Sequence, residues 1–273
     1  MSTELSQLLS SFEALWPLAG AEEWDAPGLV SGDAKQRISR VLLTVDVTSE
    51  IVDEAIDGGF DLILAHHPFL LRGITSASEH TSKGNTLARA IRANRAIYAA
   101  HTNADIVEAG VSDVLARSLG IANATPLVAT ANPLIGHGRV GSLAEPMQLG
   151  DFARLVARVL PSTASGVRVA GNYEQIVSKV AVSGGAGDSF IGAAQASGAD
   201  VFVTADLRHH PTQDAKEHST VALSPMALID VSHWASEWLW LDVAAEILAK
   251  DFSNIQFVVS QIRTDPWDFV VTQ

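Results

Sequence analysis

The chain has no cysteine in its 273 residues, which removes disulfides, thiolate zinc sites, iron–sulfur clusters and thiol nucleophiles. Any metal must therefore be held by His, Asp and Glu. Basic residues are also scarce: 18 Lys and Arg stand against 31 Asp and Glu, a formal charge of −13. That balance argues against a surface that tracks nucleic-acid phosphates, although a local basic pocket is compatible with it. No run approaches the roughly 18 apolar residues of a membrane span. Met1–Ser10 lacks both the basic stretch and the apolar core of a secretory signal. The expectation is a soluble cytoplasmic protein that engages neither membrane nor nucleic acid. Apolar residues, in contrast, make up 47%, enough at this length for one large or two modest domains.

The pattern along the chain is that of an α/β protein. Leu5, Leu8, Leu9, Phe12 and Leu15 recur at helical spacing up to Pro17. Ala21–Asp33 reads as a turn-rich loop anchored by a buried Trp24, with Trp24 and Asp25 edging a site as the other reading. Arg40–Val47, Ser49–Gly59 and Phe60–Ala65 form a strand, helix and strand, which implies a parallel pair with a right-handed crossover. A helix at Asn85–Asn94, a strand at Ala96–Ala100 and a helix at Val111–Leu119, closed by Gly120, follow. Thr125–Gly138, with Pro126 and Pro133, reads as a loosely ordered boundary. A second βα rhythm begins beyond it, and near the end come a strand at Met226–Val231, an N-cap at Ser232, a long helix and a last strand at Phe257–Ser260. The expected fold is two α/β lobes with mixed, mostly parallel sheets and a metal site in the cleft between them. Residues 1–128 with 224–273 would form the first lobe and 129–223 the second.

The chemistry gathers at strand ends, where open α/β sheets collect their ligands. His66 and His67 end the apolar run Asp61–Phe69 and precede Pro68. Side chains alternate along a strand, so two adjacent histidines suit two ions better than one, unless the chain turns there. His101 and Asp105 follow the next short strand; the bland alternative is a turn that caps a helix. His233 and Glu237, at i and i+4, share one face of the last long helix. Trp234 and Trp238 share the same spacing and read as core or interface residues. Asp206–Pro211 repeats a His-His-Pro triplet with His209 and His210. Gly184–Ser189, containing Gly185 and Gly187, lies where backbone amides could cradle an anion, or where the chain simply turns tightly. Arg72, Lys83 and Arg208 could meet phosphates, with solvated surface charge as the default for each.

Taken in order, LILAHHPFLLRGI, YAAHTNADIVEAGVSD, SGGAGDSFIGAAQASGADVFVTADLRHHPTQDAKE and ALIDVSHWASE resemble the Nif-three-like family, often described as GTP cyclohydrolase I type 2 homologues. The resemblance runs from about Trp24 to Glu246. It implies two divalent metal ions per chain, with His66, His67, Asp105, His233 and Glu237 as ligands. Those five are also the residues singled out by position. Ala26 stands where the family often has Asn, and His209 where it often has Tyr. The interval Asn132–Ser178 is too short for the inserted domain of the family's long form. The short form is associated with a ring-shaped homohexamer, a trimer of dimers.

With nitrogen and oxygen donors, Zn, Mn, Fe, Co and Ni all fit. Hydrolysis is the natural reaction class for a dinuclear site. The resemblance points to a cyclohydrolase or amidohydrolase acting on GTP or another nucleotide; in that picture His101 or His210 is the proton carrier, and Gly185 and Gly187 with Arg208 or Arg72 hold the phosphates of this small-molecule substrate. Phosphoester hydrolysis and a non-catalytic metal-binding scaffold are the alternatives.

Overall fold

The computed structural model describes residues 2–221 and 225–272. In chain order its strands and helices are β1 (Thr3–Glu4), α1 (Leu5–Leu15), β2 (Gly28–Ser31), β3 (Arg37–Ile38), β4 (Arg40–Thr44), α2 (Ser49–Asp57), β5 (Leu62–Ala65), α3 (Ser82–Arg92), β6 (Ala96–Ala99), α4 (Thr102–Asp105) and α5 (Val111–Ser118). Then follow β7 (Ile121–Ala129), β8 (Gly136–Gln148), α6 (Leu149–Val159), β9 (Arg168–Ala170), β10 (Ile176–Ala186), α7 (Ile191–Ala196), β11 (Val201–Ala205), α8 (His209–Val221), β12 (Ala227–Val231), α9 (His233–Asp251) and β13 (Gln256–Val259). No helix among the described residues is long and apolar enough to cross a membrane.

Two compact units are built from this order, one from residues up to Ala104 with Leu241–Thr264, the other from Asp105–Trp240 with the residues from Asp265 on. The first contains a five-stranded sheet in the order β13-β4-β5-β6-β2. Its first four strands run parallel, and β2 closes the edge antiparallel to β6. Every residue of β5 and β6 is buried, as expected of parallel strands covered on both faces. Leu42, Ile63 and Ile97 on the sheet pack with Ile51, Val52 and Ala55 of α2 and Ala90 of α3. Thr48 caps α2 by accepting from the Ile51 amide at 3.3 Å. The C-terminal strand β13 returns to pair with β4, as the tail was expected to do.

The second unit holds a six-stranded sheet in the order β7-β8-β10-β11-β12-β9. Its centre, β10, β11 and β12, is parallel, while β7, β8 and β9 are antiparallel additions. Phe202 and Leu228 of this sheet pack against Ile191 and Ala194 of α7 and Ala215 of α8.

Several expectations change. Thr125–Gly138 is not loosely ordered: β7 and β8 form a long antiparallel hairpin through it. Pro126 is tolerated because β7 is an edge strand, where a missing N–H costs no ladder bond. That hairpin ties the chain to the second sheet, and Arg139 reinforces the tie by donating to the carbonyls of Gly136, Gly138 and Val107 at 2.7–2.8 Å. The first boundary accordingly falls at Ala104/Asp105, not after residue 128. The expected return at 223/224 lies outside the described residues, and the observed one falls at Trp240/Leu241, because β12 joins β11 in the second sheet. Within the loop Ala21–Asp33, Gly28–Ser31 is a strand, and Trp24 is 61% exposed and so anchors nothing by burial.

Candidate metal centre

In the first unit, parallel register brings three strand ends to one edge. The His66 amide donates to the Thr44 carbonyl at 3.0 Å, that of His67 to Val45 at 2.8 Å, and that of Ala100 to Ala65 at 2.9 Å. The residues just past β4, β5 and β6 are thus neighbours although they lie far apart in sequence. Strand β5 ends at Ala65 and the chain bends at His66 and His67. The two side chains therefore do not take opposite faces: their ring centroids are 5.1 Å apart, and each lies 5.2–5.4 Å from the ring of His101. One nitrogen from each of the three imidazoles lies within 4.8 Å of the others. Such a group can hold a metal ion.

Each ring is oriented from behind. Nδ1–H of His66 donates to the Ala100 carbonyl at 2.8 Å, that of His67 to Asp46 at 2.7 Å, and that of His101 to Asp25 at 2.7 Å. With Nδ1 protonated, Nε2 carries the lone pair and is the ligand atom. An oxygen acceptor behind the imidazole is the usual partner of a metal-binding histidine, because it fixes the tautomer and raises basicity. Asp25 is itself held: its side chain is fully buried and also accepts from the Thr102 amide and hydroxyl. Burial alone would raise its pKa. The bonds from His101 and Thr102 outweigh that and hold it at about 2. Asp46 also accepts from Thr264 at 2.6 Å.

The second unit repeats the arrangement at the carboxyl edge of its own parallel strands. Asp206 follows β11 in a left-handed conformation, φ 56°, and accepts from Nδ1 of His233 at 2.7 Å. Ser232 caps α9 by accepting from the Ala235 amide at 3.2 Å, which starts the helix at His233. One turn on, Oε1 of the buried Glu237 lies 2.9 Å from His233 Nε2. Burial alone would depress the His233 pKa, but the charges and hydrogen bonds of Glu237 and Asp206 raise it to about 11. A bound proton thus sits where imidazole nitrogen and carboxylate oxygen converge, the position a divalent cation could take. Imidazole and carboxylate are nitrogen and oxygen donors of the kind that divalent transition metals take.

Gly185 makes room for this pair. Its φ is +65°, and a Cβ there would lie 2.5 Å from Glu237 Oε1 and 3.2 Å from His233 Nε2. The Gly185 amide donates to Ser236 Oγ at 2.9 Å and the Gly187 amide to the Ala205 carbonyl at 3.3 Å. Amides already engaged in this way favour the tight-turn reading over an anion cradle. Asp105 ends α4, half-buried, and its charge supports the Arg139 guanidinium. Arg208 pairs with Asp188, and Arg72 is exposed. His210 is exposed in the first turn of α8 with its ring against His209, outside any metal-holding group among the described residues. Trp234 is buried, as its spacing predicts.

Two carboxylates, Asp46 and Asp206, escaped the sequence reading, and Asp25, placed there only as a residue edging a site, proves to hold His101. Asp46 looked like part of a strand, whereas β4 stops at Thr44 and leaves it at the sheet edge. Asp206 opened a segment whose histidines drew attention instead. The usable signal was position: Asp206 directly follows β11, and Asp46 lies two residues past the end of β4.

Residues 3–266 match the family described as Duf34/NIF3 (NGG1p interacting factor 3). A Streptomyces coelicolor protein named GTP cyclohydrolase 1 type 2 homolog is 44% identical over 270 residues, 96% of this chain and 93% of that one. A Mycobacterium leprae protein of the same name is 31% identical over an alignment of 376 positions, covering 98% of this chain and 96% of its own. That alignment is far longer than the present chain, which lacks the inserted domain. Among solved structures, a Bacillus cereus protein related to NIF3 aligns with a TM-score of 0.90 at 26% identity, covering 98% of this chain and 99% of that one. A match over nearly the whole length, with the histidine pair and the His–Glu helix turn inside it, means that the chain belongs to the Duf34/NIF3 family.

Proposed function

We propose that the chain is a dinuclear metal-dependent hydrolase of the cyclohydrolase or amidohydrolase type, acting on GTP or another nucleotide. His66, His67, Asp105, His233 and Glu237 would hold two divalent ions. One observation carries the reading: three proposed ligand histidines, His66, His67 and His233, and the proposed proton carrier His101 each have Nδ1 tied to an oxygen acceptor, which makes Nε2 the nitrogen available for a metal or a proton. Histidines kept for packing have no need of four such arrangements. The GTP cyclohydrolase 1 type 2 homolog names of the relatives support the substrate class.

When bound, divalent ions would supply Lewis acidity and a lowered pKa for water. The chain's own residues do the rest. Asp46 and Asp206 hold the rings of His67 and His233 in one tautomer. His101, backed by Asp25, takes the proton of the attacking water at Nε2 and returns it to the leaving group. Asp25 stays ionised throughout the neutral range, since its pKa is held at about 2. We also take the assembly to be the ring-shaped homohexamer that the family resemblance implies, which light scattering would report as six times 28.9 kDa.

The test is elemental analysis of the purified protein, paired with turnover of GTP and simple phosphoesters by wild type and the His66→Ala/His67→Ala variant. The expected result is close to two ions per chain and turnover that disappears with the histidine pair. Stoichiometric metal with no metal-dependent turnover would refute the hydrolase assignment and leave a metal-binding scaffold.

A further inference from the structure

Beside the histidine cluster the first unit contains a cleft of about 330 Å³ lined by Asp46, Thr48, Ser49, His67, Phe69, Ser82, Lys83 and Thr86 among others. That volume is at the lower end of the range for small-molecule sites. His67 and its partner Asp46 form one wall, so whatever fills the cleft lies against a candidate metal ligand. The opposite wall is cationic and rich in hydroxyls.

Three features of that wall favour an anionic occupant. Lys83 extends its ammonium over the Phe69 ring, 5.8 Å from the centroid, and among the described residues no carboxylate or carbonyl pairs with it. In a chain with net charge −13, this ammonium supplies local positive charge to the cleft wall. Thr86 is only 4% exposed, and its hydroxyl meets that of Ser49 at 3.2 Å. That contact uses one of the two hydroxyl protons, so the other is free to donate to a ligand oxygen. Finally, Ser49 begins α2 and Ser82 begins α3, so two helix N-termini add their partial positive charge to the same cleft.

We propose that this cleft is the subsite for a phosphate-bearing small molecule, with Lys83 and the Ser49–Thr86 hydroxyl pair holding the phosphate while the remainder of the molecule lies against His67. The proposal rests on the metal-centre reading for its orientation and names the substrate class of that site. Arg72 and Arg208 are not needed for phosphate in this arrangement.

Pyrophosphate binding to the full-length protein, measured by isothermal titration with and without chelator treatment, tests it. Wild type should bind in both states, and Lys83→Ala should weaken binding by about tenfold or more, with metal content unchanged. Lys83→Arg should restore most of the affinity, and Thr86→Val should weaken it without altering the urea midpoint. Wild-type affinity in Lys83→Ala, or no binding to wild type at millimolar pyrophosphate, would overturn the proposal. The two readings fail separately: a protein that takes up no metal yet binds pyrophosphate through Lys83 keeps the cleft and loses the metal centre. One that takes up metal but ignores Lys83 keeps the centre and loses the cleft.

Discussion

Replacing Gly185 by alanine asks whether a missing side chain is part of the metal centre. The residue is buried with φ +65°, and an added Cβ would stand 2.5 Å from Glu237 Oε1 and 3.2 Å from His233 Nε2. Holding a residue with a Cβ in the left-handed region costs about 1–2 kcal/mol. Forcing an extra carbon into a filled site adds about 1–3 kcal/mol. Glu237 cannot retreat cheaply, because it sits on α9 with only 3% of its surface exposed. The Gly185 amide, moreover, is tied to Ser236 in the same helix turn. The expected loss is about 2–5 kcal/mol of stability, read as a lower urea midpoint at unchanged slope. Metal affinity should fall by about tenfold or more, since the carboxylate must leave His233. Gly192→Ala is the control: nothing lies within 4 Å of the added carbon, and the site is in α7, so stability should rise by about 0.5–1 kcal/mol. If Gly185→Ala unfolds within about 0.5 kcal/mol of wild type and titrates metal identically, the close approach at Glu237 has no functional weight and the argument fails.

Other outcomes follow from the same contacts. Asp46→Asn and Asp206→Asn should each lower metal affinity by about 10–100-fold with little change in fold; competition against a chromophoric chelator reads this directly. Arg139→Leu should cost about 3 kcal/mol, because it leaves Asp113 and three carbonyls without their buried donor; urea denaturation checks it. Tyr98, 3% exposed, has its phenol pushed up to about 12, first by burial and then by the charge of Glu13. The unfolded chain would ionise it near the ordinary value of 10. Its contribution is therefore present in full below pH 10 and should decline by about 1.4 kcal/mol per unit as the pH rises towards 12. Absorbance at alkaline pH together with denaturation midpoints would expose an error in that sign.

What the sequence determined by itself was the set of ingredients. Absence of cysteine confined any metal to imidazole and carboxylate, and short apolar runs ending in His66, His101 and Ser232 marked strand ends, because a strand buried on both faces excludes polar groups until it stops. Helix α9 was legible through Ser232 and the i, i+4 pair His233 and Glu237. The hairpin β7–β8 was not, because Pro126 reads as a breaker unless the strand is known to be an edge, and edge position is a property of the assembled sheet. Asp25, Asp46 and Asp206 were invisible as partners of their histidines for a related reason. Each acts by lying 2.7 Å behind a histidine that is 76, 21 or 27 residues away, and only the register of parallel strands and the docking of a loop bring such pairs together. Tertiary structure likewise decided that His66 and His67 stand side by side, since a bend at the end of β5 replaces the alternation that a continued strand would impose. Local pattern can name the ligand types; it takes three-dimensional pairing to decide which oxygen holds each ring and which nitrogen is left to bind.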